Sequence, residues 1–231
     1  MTARPFTYAA AVSLRFPAAR AAVVAATNVD NTAPPDGLAA EYAAVQSEVL
    51  ARLADLPIAE HDSIRAWRRT FTELGVKPTQ YRCAPEALLR RLQRHGDVPS
   101  ISPLVDIGNL VSIEFAIPVA VFDADAVDGI VECRFARGDE EFIGIGADGP
   151  EPVAAGEIVF ADESDQIAAR KWCWKQGAPT AASSSTTSAL VVIETAHDHG
   201  ADDLERAVTR LEQLLRDHHP GAQLTRSSAP S

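Results

Sequence analysis

Residues 101–123 read ISPLVDIGNLVSIEFAIPVAVFD, and the order of signals inside this stretch decides the fold class. Ser102 followed by Pro103 marks a helix start. A short polar side chain suits the cap position, and proline suits a first turn whose amide has no partner in any case. The apolar residues of LVDIGNLVSIEF go almost all the way round the helix, the pattern of a helix buried on most sides. Asp106 and Asn109 interrupt it three residues apart and therefore share a face. Buried polar groups must be satisfied, so this pair is either a structural hydrogen-bonding clamp or the floor of a site. From Pro118 onward the texture turns to β. A buried helix feeding directly into a strand-rich half gives the α+β class, with helices packed on a mixed, largely antiparallel sheet in one domain.

On the C-terminal side, IPVAVFD, IVECRFA, EFIGIG, GEIVFAD, QIAARKWCW and ALVVIETA are short β-branched and aromatic runs punctuated by Gly, Pro and Asp, as an antiparallel sheet requires. Residues 201–216 form an amphipathic helix, and the small polar tail after His219 is expected to be mobile. On the N-terminal side, strands are expected near 8–15 and 21–26, then a polar turn, NVDNTAPPDG. Helices follow over about 38–53, from Asp62 or Ser63 to Gly75, and from Pro85 to Gly96. The resulting division is an N-terminal part (1–60) within the same domain, a core (61–197), a C-terminal helix (198–217) and a flexible tail (218–231).

The 231 residues, 46% hydrophobic and 23% charged, can bury a sizeable core and have the balance of a soluble globule. Cys83, Cys133 and Cys173 follow no metal-ligand spacing and read as reduced thiols. No apolar run approaches the roughly 18 residues of a membrane span, so the expected location is the cytoplasm. The net charge of −11 argues against a nucleic-acid partner only until its distribution is considered. Arg65, Arg68, Arg69, Lys77, Arg82, Arg90, Arg91 and Arg94 fall between residues 63 and 95, opposed only by Glu73 and Glu86. Such a stripe is either a set of solvated helix faces or a surface that steers a polyanion.

The chain has no phosphate-cradling glycine loop, nucleophile elbow or zinc-ligand cluster. His197-Asp198-His199 lacks a third ligand and reads as exposed punctuation at a strand end. In RKWCWKQ, strand alternation would put Arg170, Trp172, Trp174 and Gln176 on one face, with Lys171, Cys173 and Lys175 on the other. The two indoles are either core or a stacking wall for a base, flanked by cations. Hydroxyls follow at Thr180, Ser183 and Thr186. Glu194 then stands within an apolar strand, where a carboxylate either orients a water or amino group or serves a structural hydrogen bond.

The 101–123 stretch, with Val105-Asp106-Ile107, Asn109, Glu114, Pro118 and Phe122-Asp123, resembles the core of the tRNA-editing ("B-three/B-four") domain of the phenylalanyl-tRNA synthetase beta subunit. AWRRTFTELGVKP, YRCAPEALLRR, GEIVFAD, RKWCWKQ, AAVVAATNVDNT and the Thr180, Ser183, Thr186 ladder are similar to freestanding bacterial proteins built on that domain alone. The likeness runs over about 8–196. It departs in two places. Ala120 stands where the synthetase domain carries a histidine, and Glu194 matches a glutamate of the synthetase strand only after a two-residue shift that keeps strand parity.

The resemblance implies hydrolysis of the ester of a mischarged tRNA, with water attacking beside the terminal adenosine and no metal, cofactor or covalent intermediate. One small substituent gives a binding pocket only about 1–3 kcal/mol of discrimination, which is why a second, hydrolytic sieve is useful. Some freestanding relatives look like trans-acting deacylases for tRNA charged with toxic amino-acid analogues, including an arginine analogue. Carried over to this sequence, Glu194, Thr186 and Asn109 are the candidate catalytic residues. Asp106, Trp172, Trp174, Thr180, Ser183, Arg170 and Lys175 would bind substrate, and Arg65, Arg68, Arg69, Arg90, Arg91 and Arg94 would follow tRNA phosphates. The expected partner is tRNA, with no DNA and no membrane. A tRNA-binding or amino-acid-binding module without hydrolysis is the alternative, motivated by the missing histidine.

Overall fold

The computed structural model describes residues 6–228. Along the chain run β1 (Phe6–Tyr8), α1 (Ala10–Arg15), β2 (Arg20–Thr27), α2 (Leu38–Asp55), α3 (Asp62–Glu73), α4 (Ala84–His95), α5 (Pro103–Phe115), β3 (Val119–Asp123), β4 (Val131–Phe135), β5 (Glu141–Phe142), β6 (Glu151–Pro152), β7 (Ile158–Ala161), β8 (Ile167–Arg170), β9 (Lys175–Gln176), β10 (Ser188–Thr195), α6 (Gly200–His218) and β11 (Gln223–Ser228). The fold is α+β and single-domain. One sheet has the order β1-β4-β7-β8-β9 and a second the order β11-β2-β10-β3, with β5 and β6 forming a small pair. All pairings are antiparallel except β1 with β4.

Every residue of β10 is buried, because the strand is covered on both faces. Helices α5 and α6 lie against the second sheet, with α2 outside α5. The first sheet covers the opposite face, where Phe122 of β3 and Phe160 of β7 approach with ring centroids 6.4 Å apart. A strand covered on both faces reads as a continuous apolar run, and SALVVIET fits apart from its carboxylate.

Helix α5 is buried as its sequence requires, but its start is fastened by a residue far away in the chain. The Ser102 side chain makes no capping bond. Asn31 takes over: its Oδ1 accepts the Leu104 amide at 2.9 Å, and its Nδ2 donates to Ser102 Oγ at 3.3 Å and the Ser183 carbonyl at 2.6 Å.

Three sequence expectations need correction. Residues 8–15 are not one strand. The chain leaves β1 at Tyr8 and turns into α1, which buries Val12 alone. The tail expected to be mobile contains β11, which pairs with β2 from Gln223 opposite Thr27 to Ser228 opposite Ala22; residues 229–231 lie outside the described residues. His197 is not exposed punctuation. It is buried, and its Nε2 meets Asp203 Oδ2 of α6 at 2.9 Å.

Gly108 sets the distance between α5 and β3. A Cβ there would stand 2.6 Å from Val121 Cγ2 and 3.6 Å from Val119 Cγ1. Valine is stiff about χ1 and cannot simply swing away. Gly108→Ala should therefore destabilise the protein by about 1–3 kcal/mol through overpacking. The check is thermal or denaturant unfolding; an unchanged midpoint would show that the helix shifts freely.

Candidate functional site

Val192 of β10 lies opposite Ala120 of β3, and Ile193 opposite Val119. Strand alternation puts Ala120 and Phe122 on one face of the sheet, together with Val192 and Glu194. Val119 and Val121 turn the other way, towards Gly108. Between the sheets a cavity is lined by Pro118, Ala120, Phe160, Ala169, Trp172 and Glu194, with the half-buried Trp174, Lys175 and Gln176. Its walls are apolar apart from one carboxyl and the polar groups of Lys175 and Gln176.

Glu194 is 2% exposed. Its Oε1 accepts the Tyr8 hydroxyl at 2.6 Å and the Trp172 indole N–H at 2.8 Å. Among the described residues no donor reaches Oε2. Burial pushes the carboxyl up to about 7, against the opposing pull of the two hydrogen bonds. Burial, with the same carboxylate beside it, drives the Tyr8 hydroxyl well above its ordinary range. A carboxyl that titrates near neutrality can take a proton and return it.

Trp172 is placed by a tight turn rather than by a strand. Strand β8 ends at Arg170, which pairs with Lys175 of β9. Lys171 and Trp172 between them have φ of 47° and 59°. Such left-handed conformations cost side-chain-bearing residues on the order of 1–3 kcal/mol each and need support from their surroundings. Glu157 supplies it. It accepts Arg170 Nε and Nη2 at 2.9 Å, the Lys171 amide at 3.0 Å and Lys171 Nζ at 2.6 Å. Burial works against the charge on Glu157, but these donors outweigh it and hold the carboxyl below its usual value. The Trp172 amide also donates to the Ile158 carbonyl at 2.8 Å.

The turn corrects the expected stacking wall. Trp172 is fully buried, with Phe16 and Trp67 at centroid distances of 5.2 Å. Trp174 points elsewhere and meets Tyr81 edge-on at 4.9 Å, with Lys171 and Lys175 ammonium groups 5.5 and 5.8 Å from its ring.

The structure thus brings Glu194, Trp172, Trp174 and Lys175 to one cavity. Arg170 is occupied by Glu157 and Glu151. Thr186 lies beyond the far end of β10. Glu194 is six residues along that strand from Ser188, about 20 Å at ~3.3 Å per residue, so the two cannot act on one carbonyl. Thr186 Oγ1 instead donates to Asp123 Oδ2 at 2.7 Å and accepts the Ser183 amide at 2.9 Å, while the Thr180 carbonyl accepts the Asp123 amide at 2.9 Å. The three hydroxyl residues fasten a loop around Asp123. Asp106 accepts the Ser100 hydroxyl and, at 2.8 Å, the Ile101 amide, and so serves as a clamp on the segment leading into α5. Asn109 is half-buried on α5, close enough to Tyr42 of α2 to influence its hydroxyl, and does not line the cavity.

Part of the basic stripe is internally neutralised. Buried Glu86 accepts Arg68 Nε and Nη2 at 2.9 and 2.6 Å and Arg90 Nε at 2.8 Å. Arg65 pairs with Asp62, and Arg91 lies 3.9 Å from Asp97. Arg69 and Arg94 are exposed. Among the described residues no group of three or more His, Cys, Asp or Glu side chains is arranged to hold a metal ion.

Residues 66–215 match the family model described as the B3/4 domain. The chain belongs to the B3/4 domain family. It is 30% identical over 94 residues to the phenylalanine–tRNA ligase beta subunit of Photorhabdus laumondii, a match covering 40% of this chain and 12% of that one. With the same subunit of Neisseria meningitidis serogroup B it shares 48% identity over 56 residues, 24% of this chain and 7% of the other. The B3/4 chain therefore corresponds to a small fraction of these subunits' length. The fold of an N-terminal fragment of the phenylalanyl-tRNA synthetase beta subunit from Pyrococcus horikoshii matches with a TM-score of 0.50 and 8% identity, covering all of this chain and 55% of that fragment.

Within this B3/4 chain, Tyr8 holds the cavity's carboxyl from behind and is a residue that the sequence did not single out. It meets Glu194 across 186 residues, and no local pattern announces such a pairing. A carboxyl titrating near 7 instead of its ordinary 4.5 also leaves a mark on stability. The folded protein binds more protons than the unfolded chain between those values, so stability falls as pH rises through the window and stays lower above it, by about 3 kcal/mol at most. Glu194→Gln retains an oxygen that can accept both hydrogen bonds and should abolish this fall. Melting temperatures of both proteins from pH 5 to 8 provide the check, and their difference cancels the opposite trend from half-buried His61 and buried His219, whose values burial lowers. Parallel curves would assign Glu194 an ordinary carboxyl.

Proposed function

We propose that this chain is a trans-acting deacylase that hydrolyses the ester of mischarged aminoacyl-tRNA, a proofreading step in translation. The observation that carries the reading is the Glu194 carboxyl, pushed up to about 7, lining an otherwise largely apolar cavity with one oxygen that no donor reaches among the described residues. Membership of a domain family shared with phenylalanine–tRNA ligase beta subunits supports a module related to tRNA synthetases.

In this reading Glu194 Oε2 takes a proton from a water as the water oxygen bonds to the ester carbonyl carbon. The tetrahedral species then collapses and breaks the bond to the ribose oxygen. The carboxyl returns its proton to that oxygen, which leaves free amino acid and a tRNA hydroxyl. Tyr8 and Trp172 position the carboxylate, and the apolar walls keep other water away from it. Lys175, which has no acidic partner among the described residues, stands at the cavity to meet a phosphate.

Incubation with a panel of mischarged tRNAs should release free amino acid from at least one of them. Glu194→Gln should lower that rate tenfold or more, and the wild-type excess over the variant should grow as pH rises through about 7. Release from no member of the panel would sink the hydrolytic reading. Ala120 on the cavity wall favours a second one, a module that binds tRNA or an amino acid without turnover. Salt-sensitive tRNA binding with every ester left intact would be its signature.

A further inference from the structure

Arg82, Arg90, Gln93 and Arg94 line a recess beside α4 that contains no carboxylate. Its cations are held rather than merely exposed. Buried Glu86 fixes Arg90 at 2.8 Å and lies 3.9 Å from Arg82, while also binding Arg68. One anion shared among three guanidinium groups leaves the recess positive. The Nε of Arg82 is buried 3.9 Å from Glu86 without a hydrogen bond, while the side chain as a whole stays 42% exposed and open to an oxygen anion. Arg94 makes no ion pair among the described residues. The recess and the cavity lie along the same helix. Ala84, the first residue of α4, lines the cavity, and the Ala84 amide donates to the Cys173 carbonyl of the turn at 2.8 Å. From Ala84 to Arg94 the helix rises about 15 Å.

We propose that the single-stranded 3′ end of tRNA runs along α4 into the Glu194 cavity, with consecutive phosphates seated on Arg82, Arg90 and Arg94. This rests on the deacylase reading for the position of the terminal ester. It assigns phosphate contacts to the α4 recess and not to Arg65, which Asp62 already engages.

The test uses uncharged tRNA, so it does not depend on hydrolysis. Binding constants are measured across a salt series for the wild type, for Arg82→Ala with Arg94→Ala, and for a control pair elsewhere, Arg20→Ala with Arg216→Ala. Losing two single-strand phosphate contacts should make the slope of log K against log salt shallower by about 1.4, while the control keeps the wild-type slope. On tRNA trimmed of its single-stranded 3′ nucleotides, the wild type and the Arg82/Arg94 variant should coincide. Equal slopes on intact tRNA would overturn the proposal, as would an undiminished difference on trimmed tRNA, which would place these arginines against the duplex. Should the alanine pair melt lower than the wild type, Arg82→Gln with Arg94→Gln repeats the measurement with the stems retained. A changed slope in a protein that hydrolyses no ester would leave this path standing and remove the hydrolytic reading; turnover with unchanged slopes would do the reverse.

Discussion

A carboxyl group buried between two sheets has to be supported from several directions at once, and in this protein the arrangement around the cavity follows from that requirement. Leaving an unpaired polar group in such a place costs several kcal/mol, so Glu194 draws a hydroxyl from Tyr8 and an indole N–H from Trp172. The tryptophan can deliver its N–H only because the chain turns through left-handed conformations at Lys171 and Trp172. That turn in turn leans on Glu157, whose charge is met by Arg170 and Lys171. One buried acid near neutrality is thus held in place by a second buried acid kept ionised. The contrast is physical: Glu157 is met by two cations, whereas Glu194 is met by neutral donors only.

The same logic separates the polar residues of the chain into those that hold it together and those that remain available. Asp106, Asn31, Thr186 and Asp123 close hydrogen bonds with backbone or hydroxyl groups at the ends of α5, β3 and β10. Their bonds are spent on joining segments that are distant in sequence. What remains open is concentrated around α4 and the turn that follows β8, where Lys175, Trp174, Arg82 and Arg94 border the cavity or the recess beside it.

Much of this was legible in the sequence. The all-round apolar pattern of 103–115, the proline at its start and the β-branched runs after Pro118 gave α5 and the strands, because local propensity and burial point the same way there. Glu194 stood out because a carboxylate in an apolar strand is costly and needs a reason. Other features escaped for identifiable causes. RKWCWKQ alternates like a strand, and the contacts that favour a turn, with Glu157 foremost, come from more than a dozen residues away. The short polar run near the C-terminus carries little β signal of its own and becomes a strand because β2 offers it an edge. The hydroxyls at Thr180, Ser183 and Thr186 share a spacing with one another, but spacing along a loop does not reveal that they gather at the opposite end of β10 from Glu194.

The pairing of β2 with β10, from Thr27 opposite Ser188 to Arg20 opposite Thr195, has a consequence for how the chain is made. Strand β2 leaves the ribosome long before either of its neighbours, since β11 comes later still. Roughly 160 residues separate it from β10, which at ~5–20 residues per second is about 10–30 s of synthesis. Throughout that interval RAAVVAAT is an unpaired apolar segment, and neither the cavity nor its carboxyl exists. The helix that covers β2, α6, is made later still than β10, so the nascent chain passes through a prolonged stage in which this apolar strand has neither its pairing partners nor its covering helix and is open to a chaperone.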